Sequence, residues 1–138
     1  MLIPHGTLIA LADGGGVALF RNAGREAELV LESVPNPELA THSKDGGRRH
    51  RVSARERNRT LLEEDSLAAA ITDWLNRQAV ENRFDHAFIA APAKFLGEMR
   101  HHYHKALQAK LIGELAKDLR TLRTPEIEKE LNLAKPGN

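Results

Sequence analysis

The sequence predicts an α/β domain: a mixed five-stranded sheet with helices packed on it, in the order β-β-β-α-β-α-β-α. Three observations lead there. Three short apolar runs separated by tight polar turns open the chain, as a meander does. The stretch Phe84 to Arg100 is a short apolar run that stops at Pro92 and passes at once into a helix-forming segment. Beyond Asn58 helix and strand signals alternate.

Taken in order, Thr7 to Ala12 is apolar and β-compatible, and Val17 to Phe20 repeats that character. Asp13-Gly14-Gly15-Gly16 between them accepts the positive φ values of hairpin loops. Asn22 to Arg25 makes a second turn, and Ala27 to Val34 is rich enough in apolar and branched residues for a third strand. Val34-Pro35-Asn36-Pro37 then ends the pattern. From about 35 to 60 no apolar periodicity is evident, and a stretch of that length reads as a functional loop or a partly disordered one. A helix begins near Glu63, where Leu67, Ile71, Trp74, Leu75 and Gln78 fall at helical spacing, with Glu63, Glu64 and Asp65 suited to its positive end.

Ala87 to Ala91 is apolar on both side-chain parities, which predicts a strand covered on two faces and central to the sheet. A helix follows from near Lys94 through His101-His102-Tyr103-His104 toward Gln108. Leu111 to Ala116 reads as a fifth strand rather than a continuation, since Gly113 interrupts helical propensity. Thr124-Pro125-Glu126 opens a last helix, with a capping threonine, proline in the first turn and an acid behind it, and the helix ends by Leu133. This is the element order of ribonuclease-H-like folds, and 138 residues make a single domain of it.

Composition narrows the function classes. Without cysteine there are no disulfides, thiolate ligands or thiol nucleophiles, which fits a reducing, cytoplasmic setting. No apolar run approaches the roughly 18 residues of a membrane span. The net charge of +1 averages two unlike regions. Lys44, Arg48, Arg49, Arg51, Arg55, Arg57 and Arg59 face only Asp45 and Glu56, a local excess of five, so the remainder carries about four negative charges. Seven cations in sixteen residues suit phosphate contacts that weaken with salt, and RNA or the ribosome is the partner they favour. The bland alternative is a solvated loop, with the arginines paired to Glu56, Glu63 and Glu64. Of the residues able to stack on bases there are few, chiefly Tyr103 and Trp74, and Trp74 reads as core.

Metal-dependent nuclease chemistry on this fold needs several carboxylates from the first strand, the first helix and the end of the fourth strand. Asp13 and Glu63 or Glu64 supply two, but the fourth strand ends in Ala90-Ala91-Pro92, and Asp85 stands at its start, on the opposite edge. Asp13 is better read as a hairpin residue. His101, His102 and His104 lack a third zinc ligand. The triple glycine precedes a strand and no Gly-Lys-Ser or Gly-Lys-Thr follows, so it is a turn rather than a phosphate cradle. Ser33, Ser43, Ser53 and Ser66 occupy no nucleophile elbow. Neither catalytic residues, nor a metal site, nor a cofactor site is assigned.

Leu11 to Phe20, Ala90 to Arg100 and Leu115 to Leu119, in that order, resemble the bacterial family called "protein required for attachment to host cells". Its pattern is similar to a strand ending in Ala-Asp, a turn and an Ala-x-Leu-Phe strand, then Ala-Pro-x-x-Leu-Gly-x-x-Arg, then Lys-Asp-Leu. The resemblance implies a fold like the central domain of archaeal and eukaryotic class-one release factors and their Pelota-like relatives. It supports the fifth strand and brings no catalytic residues. In that domain the segment ahead of the first helix is similar to a Gly-Gly-Gln tip; here Gly46-Gly47 is followed by Arg48, so peptidyl-tRNA hydrolysis by a glutamine is not implied, whereas ribosome binding is compatible. The functions in view are a non-enzymatic binding module using this Gly-Gly-Arg segment, a metal-dependent nuclease or hydrolase, and a protein-interaction component of an attachment pathway.

Overall fold

The computed structural model describes residues 3–39 and 56–133. Five strands form one mixed sheet: β1 (Leu8–Asp13), β2 (Gly16–Asn22), β3 (Leu31–Val34), β4 (Ala87–Ala91) and β5 (Leu111–Ala116), in spatial order β3-β2-β1-β4-β5. The helices are α1 (Glu56–Val80), α2 (Ala93–Arg100), α3 (Lys105–Lys110) and α4 (Thr124–Leu133). The α/β architecture read from the sequence is the one observed. Among the described residues no helix is long and apolar enough to cross a membrane.

Alternation of side chains along β1 divides the core in two. Leu8, Ala10 and Ala12 point to the face covered by α1, α2 and α3, where they meet Ile71, Leu75, Leu96, Met99 and Leu107. Ile9 and Leu11 point to the other face, against Phe88, Leu119 and the α4 residues Ile127 and Leu131. All six β1 residues are buried, and β1, not β4, is the middle strand. The reason lies in pairing: β1 binds β2 antiparallel on one side and β4 parallel on the other. β4, buried along its whole length as expected, lies between β1 and β5.

Three boundaries differ from the sequence reading. α1 starts at Glu56, seven residues before Glu63, so Arg57 and Arg59 belong to its first turns and not to a loop. β3 is confined to Leu31–Val34, because Asn22 Oδ1 takes the Val30 N–H at 3.1 Å and Arg25 and Glu28 bridge to each other. The single helix expected from Lys94 to Gln108 is broken into α2 and α3. Asn76 of α1 holds the break, donating to the His102 carbonyl at 2.8 Å and accepting the His104 N–H at 3.0 Å. His104 then caps α3 by accepting the Ala106 N–H on Nδ1 at 2.9 Å.

β1, β4 and β5 run parallel, so their carboxyl ends share one edge of the sheet. The chain leaves that edge at Asp13, at Pro92 and just before Asp118. In open α/β sheets this is the edge where ligand crevices form.

Candidate functional site: a charged cleft at the carboxyl edge

A cleft of about 430 Å³ opens at this edge. The β1–β2 turn, the start of α2, the Glu64 to Asp65 stretch of α1 and the connection after β5 build its walls. Its lining side chains include five acids (Asp13, Glu64, Asp65, Glu98, Asp118) and two bases (Lys94, Arg120), an acid excess that repels phosphate.

Asp13 is the buried member, 8% exposed. Its Oδ1 accepts the Gly15 N–H at 2.8 Å, the hairpin role expected of it, and also the Arg120 Nε–H at 2.6 Å. Asp118 lies against the Asp13 carboxylate. Its carboxyl is raised above the ordinary value by partial desolvation and then by the charge and contact of Asp13, against the opposing pull of the Arg120 backbone N–H and guanidinium. Much of Asp118 stays open to water, so solvent moderates the repulsion.

The glycines of the turn make this arrangement possible. A Cβ on Gly15 would stand 2.5 Å from Arg120 Nη2, and one on Gly14 would meet the Glu64 carboxylate at 2.8 Å. The triple glycine is a turn, as its sequence suggests, and it also clears the floor on which the guanidinium lies.

Of the carboxylates weighed for a metal, Asp13 and Glu64 reach the cleft and Glu63 is exposed outside its lining, while Asp85, set aside from the sequence, precedes β4 at the opposite edge. Among the described residues no group of three or more His, Asp or Glu side chains is placed to hold a metal ion. His101 closes α2 through its backbone N–H, the His102 ring faces Glu98 at 3.3 Å and the His104 ring caps α3, so the three do not converge. Trp74 packs against the core, as expected, and so does Tyr103.

Lys44, Gly46, Gly47, Arg48, Arg49, Arg51 and Arg55 lie outside the described residues. Sequence reasoning missed Asp118 and Arg120. The signal was present: Lys117-Asp118-Leu119 directly follows a strand parallel to β1, which places its first polar residues beside the end of β1.

The resembling motifs acquire physical meaning in this frame. Leu96 is buried under the sheet, Arg100 donates to Glu114 on β5, and Leu119 fills the core on the α4 face. No curated protein matches the chain. A family model, bacterial archaeo-eukaryotic release factor family 12, matches residues 6–131, from just before β1 into α4. That span takes in both cores, the cleft and the basic segment, and the chain belongs to this release-factor family.

Proposed function

We propose that this is a translation-related binding protein, without catalytic activity of its own, that contacts RNA or the ribosome through the basic segment Lys44 to Arg59. The observation that carries the reading is the coincidence of family and charge: the family match spans this segment, which holds seven of the chain's cations in sixteen residues. Arg48, Arg49, Arg51, Arg55, Arg57 and Arg59 bind phosphates, and Gly46 and Gly47 let the backbone approach them closely. The acid excess of the cleft favours the same assignment, since a phosphate backbone is drawn to the basic segment and not to the carboxyl edge of the sheet. Arg48 follows the glycine pair where a water-orienting glutamine would be needed, which supports binding over peptidyl-tRNA hydrolysis. On this reading the protein works in the cytoplasm.

Co-sedimentation with ribosomes across a salt series tests this, beside a variant with Arg48, Arg49, Arg51 and Arg55 changed to Ala. Each phosphate contact contributes roughly 0.7–0.9 to the slope of log affinity against log salt. Binding that weakens steeply with salt and is lost in the variant is expected. Binding indifferent to salt, or retained in full by the variant, overturns the reading.

A further inference from the structure

Metal-dependent nuclease chemistry on this fold draws carboxylates from the first strand, the first helix and the end of the fourth strand, and this chain keeps only Asp13, at the end of β1, within reach of a second carboxylate, Asp118 after β5. The donor set does not fit a metal. The Asp13 carboxylate already holds Arg120 Nε at 2.6 Å, and among the described residues no group of three or more ligands is placed for a metal, so a divalent ion here would have only the Asp13–Asp118 pair and water to hold it.

We infer that Arg120 is a built-in cation: its guanidinium lies at the Asp13–Asp118 pair in the place of a divalent metal, and the site is closed to metal for that reason. Three features support this. Two carboxylates in contact repel each other unless a proton lies between them or a positive charge beside them, and Arg120 supplies the charge, to Asp13 through its side chain and to Asp118 through its guanidinium and its backbone N–H. The guanidinium has a prepared seat, because Gly15 offers no Cβ where Nη2 lies and Gly16, at φ +144°, keeps the turn in a conformation that side chains disfavour. The cation is also tethered: it comes from the connection between β5 and α4, whose next core residue toward the strand, Leu119, is fully buried. A metal entering the pair would have to displace a charge-assisted hydrogen bond held from both sides.

Thermal unfolding of the full chain, with EDTA and with millimolar Mg²⁺ or Mn²⁺, separates the alternatives. The wild type unfolds at the same temperature in all three conditions. Arg120→Gln, which leaves the carboxylates without their cation, unfolds earlier in EDTA and is restored by roughly 3–5 °C with Mn²⁺. Arg120→Lys keeps a charge and stays indifferent to metal, and Asp118→Asn combined with Arg120→Gln loses the metal response. If Arg120→Gln does not fold in EDTA, the same chain is refolded with Mn²⁺: recovery supports the inference, and a chain unfolded in both overturns it. Stabilisation of the wild type by either metal, or an Arg120→Gln protein that folds and ignores metal, also overturns it.

Discussion

Arg120 and Asp13 stand 107 positions apart in the chain and meet at 2.6 Å, tying the end of the middle strand to the segment that leaves the edge strand β5. Both are substantially buried side chains, so water screens the pair less than it would two surface charges. The contact closes the carboxyl edge of the sheet on one side of the cleft.

Gly15→Ala puts this contact under direct pressure. The new Cβ would stand 2.5 Å from Arg120 Nη2, so the guanidinium must leave its seat or the turn must shift. A loss of about 1–2 kcal/mol in urea unfolding is expected, near the value of one charge-assisted hydrogen bond. In an Arg120→Gln background the same substitution costs less, and the double-mutant cycle shows coupling. Strict additivity would mean that the glycine serves the turn alone.

Asp118 gives the cleft a pH dependence with a definite sign. Its carboxyl titrates above the ordinary aspartate range in the folded chain, through partial desolvation and then Asp13. A raised folded value means that its favourable contribution is complete below the unfolded pKa, about 3.9, and is lost as pH rises through the folded one. Asp118→Asn, which cannot ionise, therefore gains on the wild type as pH rises from the unfolded pKa through the raised folded one, and keeps the gain at neutrality. Thermal midpoints of the two proteins across this range check it. A variant less stable than the wild type at neutral pH would show that attraction between the Asp118 carboxylate and Arg120 outweighs its repulsion from Asp13.

The two-sided burial of Ala87 to Ala91, the glycine turn after Asp13 and the start of α4 at Thr124-Pro125 were legible in the sequence because each depends on neighbours within a few residues, but the cap is Arg123 and not Thr124: its carbonyl accepts the Ile127 N–H at 2.9 Å and its N–H donates to Glu126 at 3.0 Å. The fifth strand at Leu111 to Ala116 was legible for a similar reason, as Gly113 weakens the competing helix. Contacts between distant residues were not. Asn76 divides the expected helix by gripping two backbone groups 26 and 28 positions away, and no local propensity signals that. The same holds for Arg120, an ordinary surface-type residue until the parallel pairing of β1, β4 and β5 brings it to Asp13. The midpoint of the sheet was misplaced because β1 and β4 are both apolar on two faces, and only the strand order distinguishes them.

Asn22 is a fully buried polar residue that holds the amino-terminal segment and the turn after β2 together. Its Nδ2 donates to the Ile3 carbonyl at 2.7 Å, and its Oδ1 accepts from Gly24 at 2.9 Å and Val30 at 3.1 Å. Asn22→Ala leaves the buried Ile3 carbonyl and the part-buried Gly24 and Val30 amides without their partner, and a loss of about 1–3 kcal/mol in urea unfolding is expected. Asn22→Asp fares no better, since it turns an acceptor and a charge toward the Ile3 carbonyl. A cost below roughly 0.5 kcal/mol for the alanine would mean that water replaces the amide.

Glu114 fastens the edge strand β5 to the end of α2. Its Oε2 accepts the Tyr103 hydroxyl at 2.6 Å, and its Oε1 accepts Arg100 Nη2 at 2.6 Å and Nε at 3.0 Å. Burial alone would raise the carboxyl, but the bonds from Arg100 and then Tyr103 prevail and hold it below its ordinary value. Tyr103 is driven the other way, held well above the ordinary tyrosine value by burial and then by its bond to Glu114. A depressed carboxylate stabilises the fold above its unfolded pKa, and that contribution disappears as pH falls through the folded value. Tyr103→Phe should therefore cost about 1–2 kcal/mol at neutral pH, the worth of a hydrogen bond to a charged acceptor, while the core packing of the ring is retained. As pH falls through the lowered folded value and Glu114 protonates, the wild-type and variant stability curves converge. Urea unfolding at a series of pH values reads both effects, and carboxyl NMR should find the Glu114 titration moved upward in the variant. A difference that is constant from neutral to acid pH would mean that the hydroxyl acts by filling space and not by holding the carboxylate.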